Sequence, residues 1–375
     1  MARDSTLDEF GLDRVRGFLP VEDPLRALPA GYAAWEEANI VLPGLLLAGR
    51  AREHLDRLPE LGTEELQGPR QVWRGFLLVS VLANAYIMGG TEQAAVLPRA
   101  LAVPLHRLAE RLDVAPVFNY AAIVLRNWSR IDPSGPVELG NITPLCSFLG
   151  GVDEGWFLMS MTAIEAKGGP VPAALLEISR AVAAGDHAAA EKGLATTASC
   201  LAAMTDTFAR LSEKCDPYIF YHRVRPILDA WQQPGVIYEG VSAEPQMWTA
   251  ASAAQCALIQ ALDAAFGIRH SGHGGEFLRS MRRYMPTGHR VFIERFERGP
   301  SLRDHVEGTG APALRDAYNE NVHLLSTLRR QHMEISVRYI AQQARDQGGT
   351  RYGTSGTDFI QLLHAVRRET TDSGI

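Results

Sequence analysis

His332 lies in the segment HLLSTLRRQHMEISVRYI, within 311–345, the longest uninterrupted helical pattern of the chain. Leu325, Leu328, His332, Ile335 and Tyr339 are spaced by 3, 4, 3 and 4 residues, so the imidazole sits in the middle of an apolar stripe. A neutral imidazole facing a dry cavity suits a haem iron as its proximal ligand. A core histidine bonded to a carbonyl gives the same periodicity. Arg225, in DPYIFYHRVRPILDAW, lies beside the helical face carried by Phe220, Val224 and Ile227. A guanidinium there either snorkels to water or pairs, because burying it alone costs several kcal/mol. Its partner could be a protein Asp or Glu, or the carboxylate of a ligand such as an amino acid.

Other groups carry weaker signals. Asp263 and Arg329 could form a buried ion pair or remain two solvated charges. His270 and His273 stand three apart near Glu276, but a metal site needs further ligands in fixed geometry, and a structural loop fits better. The GTSGT at 353–357 precedes a helix and lacks GxxxxGK[ST], so it reads as a lid or connector rather than a phosphate cradle. The sequence has no GxSxG elbow, no GxGxxG opening a strand–helix unit and no Cys–His–Asn pattern. Hydrolase, dinucleotide and kinase chemistry therefore have no support.

The elements that must hold these residues are nearly all helical. Helical spacing predicts helices over 33–51 (interrupted at Pro43), 71–88, 93–112 (broken at Pro104), 119–130 and 153–166. Further helices are predicted over 171–184 and 187–215 (joined at Gly185-Asp186), 217–231, 245–267, 277–284, 286–298, 311–345 and 358–368. Only 236–241 (VIYEGV) reads as a strand. The class is all-α, with a soft boundary at 114–116 between a small N-terminal helical domain, 1–113, and a large helical domain, 114–375.

Composition narrows the function. The chain has 375 residues, 46% hydrophobic and 21% charged, enough to bury a sizeable core and too apolar for disorder. A net charge of −6 with no strongly basic half argues against nucleic acid as a partner. Cys146, Cys200, Cys215 and Cys256 are scattered, which excludes CxxC sites and CxxCH haem attachment and fits a reducing cytoplasm. The acidic, polar N-terminus is unlike a signal peptide. The uncharged run 75–90 is shorter than the ~20 residues of a spanning helix and reads as a buried core helix, so no membrane is expected.

Six blocks together carry a resemblance. LRNWSRIDP (125–133), GWFLMS (155–160), FYHRVRPIL (220–228), MRRYMPTGHR (281–290), LRRQHMEISVRYI (328–340) and GTSGTDF (353–359) occur in the order found in the indoleamine 2,3-dioxygenase family of haem enzymes. The resemblance covers residues 110–370 and is looser before them. It implies non-covalent haem b in the large domain, with His332 as the proximal iron ligand. Arg225 matches the residue that meets the substrate carboxylate, and Phe220 the aromatic wall beside it. Tyr120, Ile123, Trp156, Phe157 and Ser160 match distal-pocket positions. Ser252 falls near the substrate and the haem edge, Thr354 in the lid, and Asp263 and Arg329 in a polar pair on the proximal side.

The implied reaction is dioxygenation of L-tryptophan, or a related indoleamine, to N-formylkynurenine. It uses O2 and an electron donor that reduces the haem, in a protein expected to be monomeric. Related tryptophan 2,3-dioxygenases place a histidine where this chain has Ser160, a poor base, so no side-chain base is expected. The sequence departs from the family pattern at 250–253 (AASA for Gly-Gly-Ser-Ala), at Ser355, at Ile123 and at Trp156. Those departures bear on which indole is accepted. Two rivals follow: an oxygenase of the same scaffold acting on another indole, and a haem-binding sensor without turnover.

Overall fold

The computed structural model describes residues 5–345 and 359–375. Twelve helices of eight or more residues make up most of the described chain: α1 Ala33–Leu47, α2 Gly68–Met88, α3 Arg99–Leu112, α4 Gly151–Lys167, α5 Val171–Ala184, α6 His187–Ala209, α7 Ala257–Ala265, α8 Gly272–Ser280, α9 Thr287–Arg298, α10 Leu302–Thr309, α11 Pro312–Ser336 and α12 Phe359–Thr371. Four strands of two residues complete it: β1 Val96–Leu97 pairs in parallel with β4 Ile237–Tyr238, and β2 Ser129–Arg130 pairs antiparallel with β3 Ile142–Thr143. The protein is all-α.

Local chemistry sets the joints. Gly185 ends α5 at φ +68°, where a side chain would be strained, and the Asp186 carboxylate then accepts from the Ala189 N–H to start α6. In α4 the Glu154 carboxylate is buried and accepts from the backbone N–H of Phe148, Leu149 and Gly150 at 2.7–2.8 Å. That fixes the entry of the helix carrying Phe157, Ser160 and Glu165. Helix α11 packs along α6 and α12, and α6 also packs on α4 and α5. Helix α2 packs on α1 and α3, and most of its apolar length is buried inside the molecule. A Cβ on Gly75 would lie 2.9 Å from Leu66 and 3.5 Å from Leu108, so α2 and α3 approach closely there. One buried core runs from Leu7 to Tyr339, with Trp35, Trp128, Tyr284 and Tyr318 fully enclosed.

Several expected elements differ. The break predicted at Pro104 is absent, and α3 is continuous from Arg99. An internal proline costs about 3 kcal/mol, and burial of Pro104 with Leu101, Leu105 and Leu108 offsets it. Helix α1 likewise runs through Pro43. The 119–130 segment is helical only over Tyr120–Ile123, then turns into β2. The 245–267 segment is irregular until a short turn at Ala253–Gln255 and α7. In both, side-chain bonds to the backbone replace helical ones, from Asn119 to Ala122 and from Gln255 to Tyr120 and Ala250. The predicted strand over 236–241 forms as β4.

Candidate functional site

Helix α11 carries the stripe predicted from spacing. Leu325, Leu328 and Tyr339 are buried, and His332 opens into a cavity of about 270 Å³. The cavity walls are largely apolar, with Met161, Ile164, Met204, Phe208, Leu258 and Ile259 among them. The His332 ring packs 5.8 Å from that of Phe208. Among the described residues His332 has no hydrogen bond to a carbonyl. Burial, reinforced by the Arg329 charge, pushes the imidazole down to about 4, so it is neutral at physiological pH. A neutral nitrogen donor facing a largely apolar cavity suits a haem iron as its proximal ligand. A π-helical turn, Val337–Ala341, follows directly and swings Tyr339 inward, where its hydroxyl donates to the Cys215 carbonyl at 2.6 Å.

Asp263 and Arg329 form the buried pair. Arg329 Nη2 donates to both Asp263 oxygens at 2.6–2.7 Å, and Nη1 donates to Thr370 Oγ1. Burial would raise the Asp263 carboxyl, but Arg329 and His270 outweigh it and hold it below the usual carboxylate range. His270 uses its other nitrogen on Glu369 at 2.8 Å, which Ser271 also binds. One network thus ties α11, α7 and α12 together beside the cavity. His270 belongs to it, and not to a pair with His273.

The remaining predicted residues divide. Tyr120 and Ser252 line the cavity with His332, Asp263 and Arg329. Ser252 Oγ accepts from the Ala254 N–H at 3.3 Å, and Ala253 and Ala254 face the same space. Phe157 and Phe220 pack at a tilt with centroids 4.8 Å apart, and Phe220 meets Tyr339 edge-on at 5.7 Å. Ile123 is buried in the Tyr120 turn, and Ser160 is wholly enclosed in α4, neither lining the cavity. Trp156 does not line the cavity either. Its indole N–H donates to the Arg210 carbonyl at 2.9 Å, and Lys214 Nζ sits 4.7 Å from its ring. Thr354 lies outside the described residues.

Arg225 is buried in the turn Arg225–Leu228, which the Asn84 side chain of α2 holds through the Ile227 carbonyl at 2.7 Å. Its guanidinium reaches both oxygens of Asp229 at 3.3–3.4 Å and lies 5.4 Å from the Tyr221 ring. The protein carboxylate considered from sequence is therefore present, at long distance. Arg225 does not line the cavity itself.

Sequence reasoning missed Glu165 and Cys256. Both line the cavity, and both Tyr120 Oη (2.9 Å) and Cys256 Sγ (3.0 Å) donate to Glu165 Oε1. Burial raises the carboxyl against the effect of those two bonds. Glu165 is separated by 45 residues from Tyr120 and 91 from Cys256, a distance no local pattern spans. A Glu on the mostly apolar stretch FLMSMTAIEA was the available signal.

The indoleamine 2,3-dioxygenase family model matches residues 6–373. Indoleamine 2,3-dioxygenase 1 of Rattus norvegicus is 36% identical, with 97% of this chain and 94% of that protein covered. Indoleamine 2,3-dioxygenase 2 of Homo sapiens is 33% identical over 98% of this chain and 95% of that one. Indoleamine 2,3-dioxygenase nanC of Aspergillus nanangensis is 35% identical over 98% and 97%. Similarity of this extent carries family and reaction type together: the chain belongs to the indoleamine 2,3-dioxygenase family and is an oxidoreductase of its haem dioxygenase type.

Proposed function

We propose that the protein binds haem b without a covalent bond, through His332, and converts L-tryptophan to N-formylkynurenine. The observation that carries this reading is the neutral His332 imidazole, open to an apolar cavity with the Asp263–Arg329 pair beside it. Haem, once bound, supplies the ferrous iron at which both atoms of O2 are delivered across the indole C2–C3 bond. The chain's own residues bind and orient. Apolar side chains on α4, α6 and α7 keep water out of the cavity. Phe157 and Phe220 form the aromatic wall for the indole. Arg225 exchanges its long contacts to Asp229 for the substrate carboxylate, where two parallel charge-assisted bonds are available. Ser252 sits near the haem edge. An external donor reduces the haem. The protein acts as a cytoplasmic monomer.

The test is an absorption spectrum of the ferrous protein with and without L-tryptophan, followed by mass analysis of product formed under ¹⁸O2. Two labelled atoms in a formylkynurenine support the reading. His332→Ala loses the ligated haem spectrum, and a normal spectrum in that variant overturns it. One observation favours a second reading, an oxygenase for another indole. Ala250 and Ala251 stand where the family pattern has two glycines, and their methyl groups stiffen the turn that leads into Ser252 on the cavity wall. A labelled product from a simple indole, with none from tryptophan, decides for that reading.

A further inference from the structure

Arg225 and Asp229 face each other across one turn, and they differ in their freedom to leave. The Arg225 side chain is 5% exposed and that of Asp229 is 33% exposed. Arg225 is held in place. It opens the turn Arg225–Leu228, whose Ile227 carbonyl accepts from the buried Asn84 amide at 2.7 Å, and its guanidinium lies 5.4 Å from the Tyr221 ring. Asp229 stands where that turn gives way to extended backbone, and its carboxylate reaches back four residues. Both oxygens meet the terminal nitrogens of the guanidinium, Oδ2 on Nη1 at 3.3 Å and Oδ1 on Nη2 at 3.4 Å. That is the parallel arrangement in which arginine takes a ligand carboxylate, stretched beyond the ~2.7–2.9 Å of a strong charge-assisted bond. Oδ1 also accepts the Ala230 N–H at 2.9 Å, so a carboxylate that lets go of Arg225 keeps a protein donor and can reach water.

We propose that Asp229 is a specificity-determining residue: it is an internal stand-in for the substrate carboxylate on Arg225, and its charge weakens the binding of carboxylate-bearing indoles relative to indoles that lack the group. This rests on the role given to Arg225 above and deepens it. A tryptophan carboxylate takes the two Nη positions only when Asp229 gives them up. The displaced anion stays tethered one turn away, a like charge beside the incoming one. An indole without a carboxylate meets no such competition, and Arg225 keeps its acidic partner when that ligand binds. Asp229 therefore acts on one substituent of the ligand, the carboxylate, and not on the indole ring.

The experiment measures dissociation constants for L-tryptophan and tryptamine by optical titration of the haem-loaded protein, with haem content measured separately. Asp229→Asn, which keeps the shape and removes the charge, is expected to bind tryptophan about threefold to fivefold more tightly than wild type, the scale of one part-exposed ion pair. Tryptamine gains nothing from the change, so the preference for tryptophan over tryptamine widens by at least about threefold. Asp229→Glu, which returns the charge, is expected to bring that preference back to within about twofold of wild type. A loosened fold does not tighten the binding of one ligand alone. Weaker tryptophan binding in Asp229→Asn overturns the proposal and makes Asp229 a support of Arg225. An unchanged preference in that variant, a gain shared equally by both ligands, or Asp229→Glu behaving as Asp229→Asn overturns it as well. Tryptophan binding unaffected by Arg225→Ala shows that the carboxylate is held elsewhere; the role of Arg225 then fails, and this inference falls with it.

Discussion

Asp263→Ala is expected to be among the most damaging single changes outside the apolar core. Asp263 and Arg329 are sealed together, with side-chain exposures of 8% and 9%. Surface ion pairs are worth at most about 1 kcal/mol. A buried pair is different, because removing one partner leaves the other charge desolvated and uncompensated, at about 3–5 kcal/mol. Here the variant strands Arg329, whose remaining hydrogen bond among the described residues is to the Thr370 hydroxyl, and takes the Nε2 partner from His270. Thr370 and Glu369 lie on α12, so the loss spreads to the docking of that helix on α11. Removing both charges at once, as Asp263→Leu with Arg329→Met, is expected to cost far less than the sum of the single changes, because no orphan charge remains. Equilibrium urea denaturation followed by circular dichroism, with haem content measured alongside, gives the four corners of the cycle. The coupling should reach about 2–3 kcal/mol. An Asp263→Ala cost below about 1 kcal/mol, or costs that simply add, would refute the idea that the pair is buried and mutually dependent.

Other consequences can be measured directly. Arg225→Ala should raise KM for L-tryptophan at least about tenfold at unchanged haem content, and loss of haem with unchanged KM would place the residue elsewhere. For His270, burial lowers the pKa but Asp263 and Glu369 outweigh it, giving a net rise above the usual 6.5. Its protonated form therefore stabilises the fold fully below 6.5 and is lost as pH rises through the raised native value. The stability gap between wild type and His270→Gln should shrink from pH 6 to pH 9, and a constant gap would count against it. His289 is fully enclosed, with its ring 4.9 Å from that of Phe18, and burial pushes it down to about 3. It stays neutral in the fold while the unfolded chain takes up a proton, so wild type loses about 1.4 kcal/mol per pH unit relative to His289→Gln below 6.5. Parallel acid unfolding of the two proteins would contradict this.

What could be read from the sequence was local. The stripe through His332 needs only the 3.6-residue helical period, and the α5–α6 joint needs only a glycine that tolerates positive φ followed by an aspartate that caps. The family blocks are contiguous strings, so their order survives without any fold. The tertiary structure decided what local preference cannot. Pro104 stays inside a helix because α2 packs against it, and 119–130 gives up helical form because distant side chains satisfy its backbone. The Trp156 indole donates to the Arg210 carbonyl and lies beside Arg210 and Lys214, partners more than fifty residues away in sequence. Glu165 meets Tyr120 and Cys256, and His270 meets Glu369, only after packing closes those distances. The physical reason is the same in each case. Periodicity is a property of neighbouring residues, whereas desolvation and the pairing it enforces depend on what the rest of the chain brings alongside.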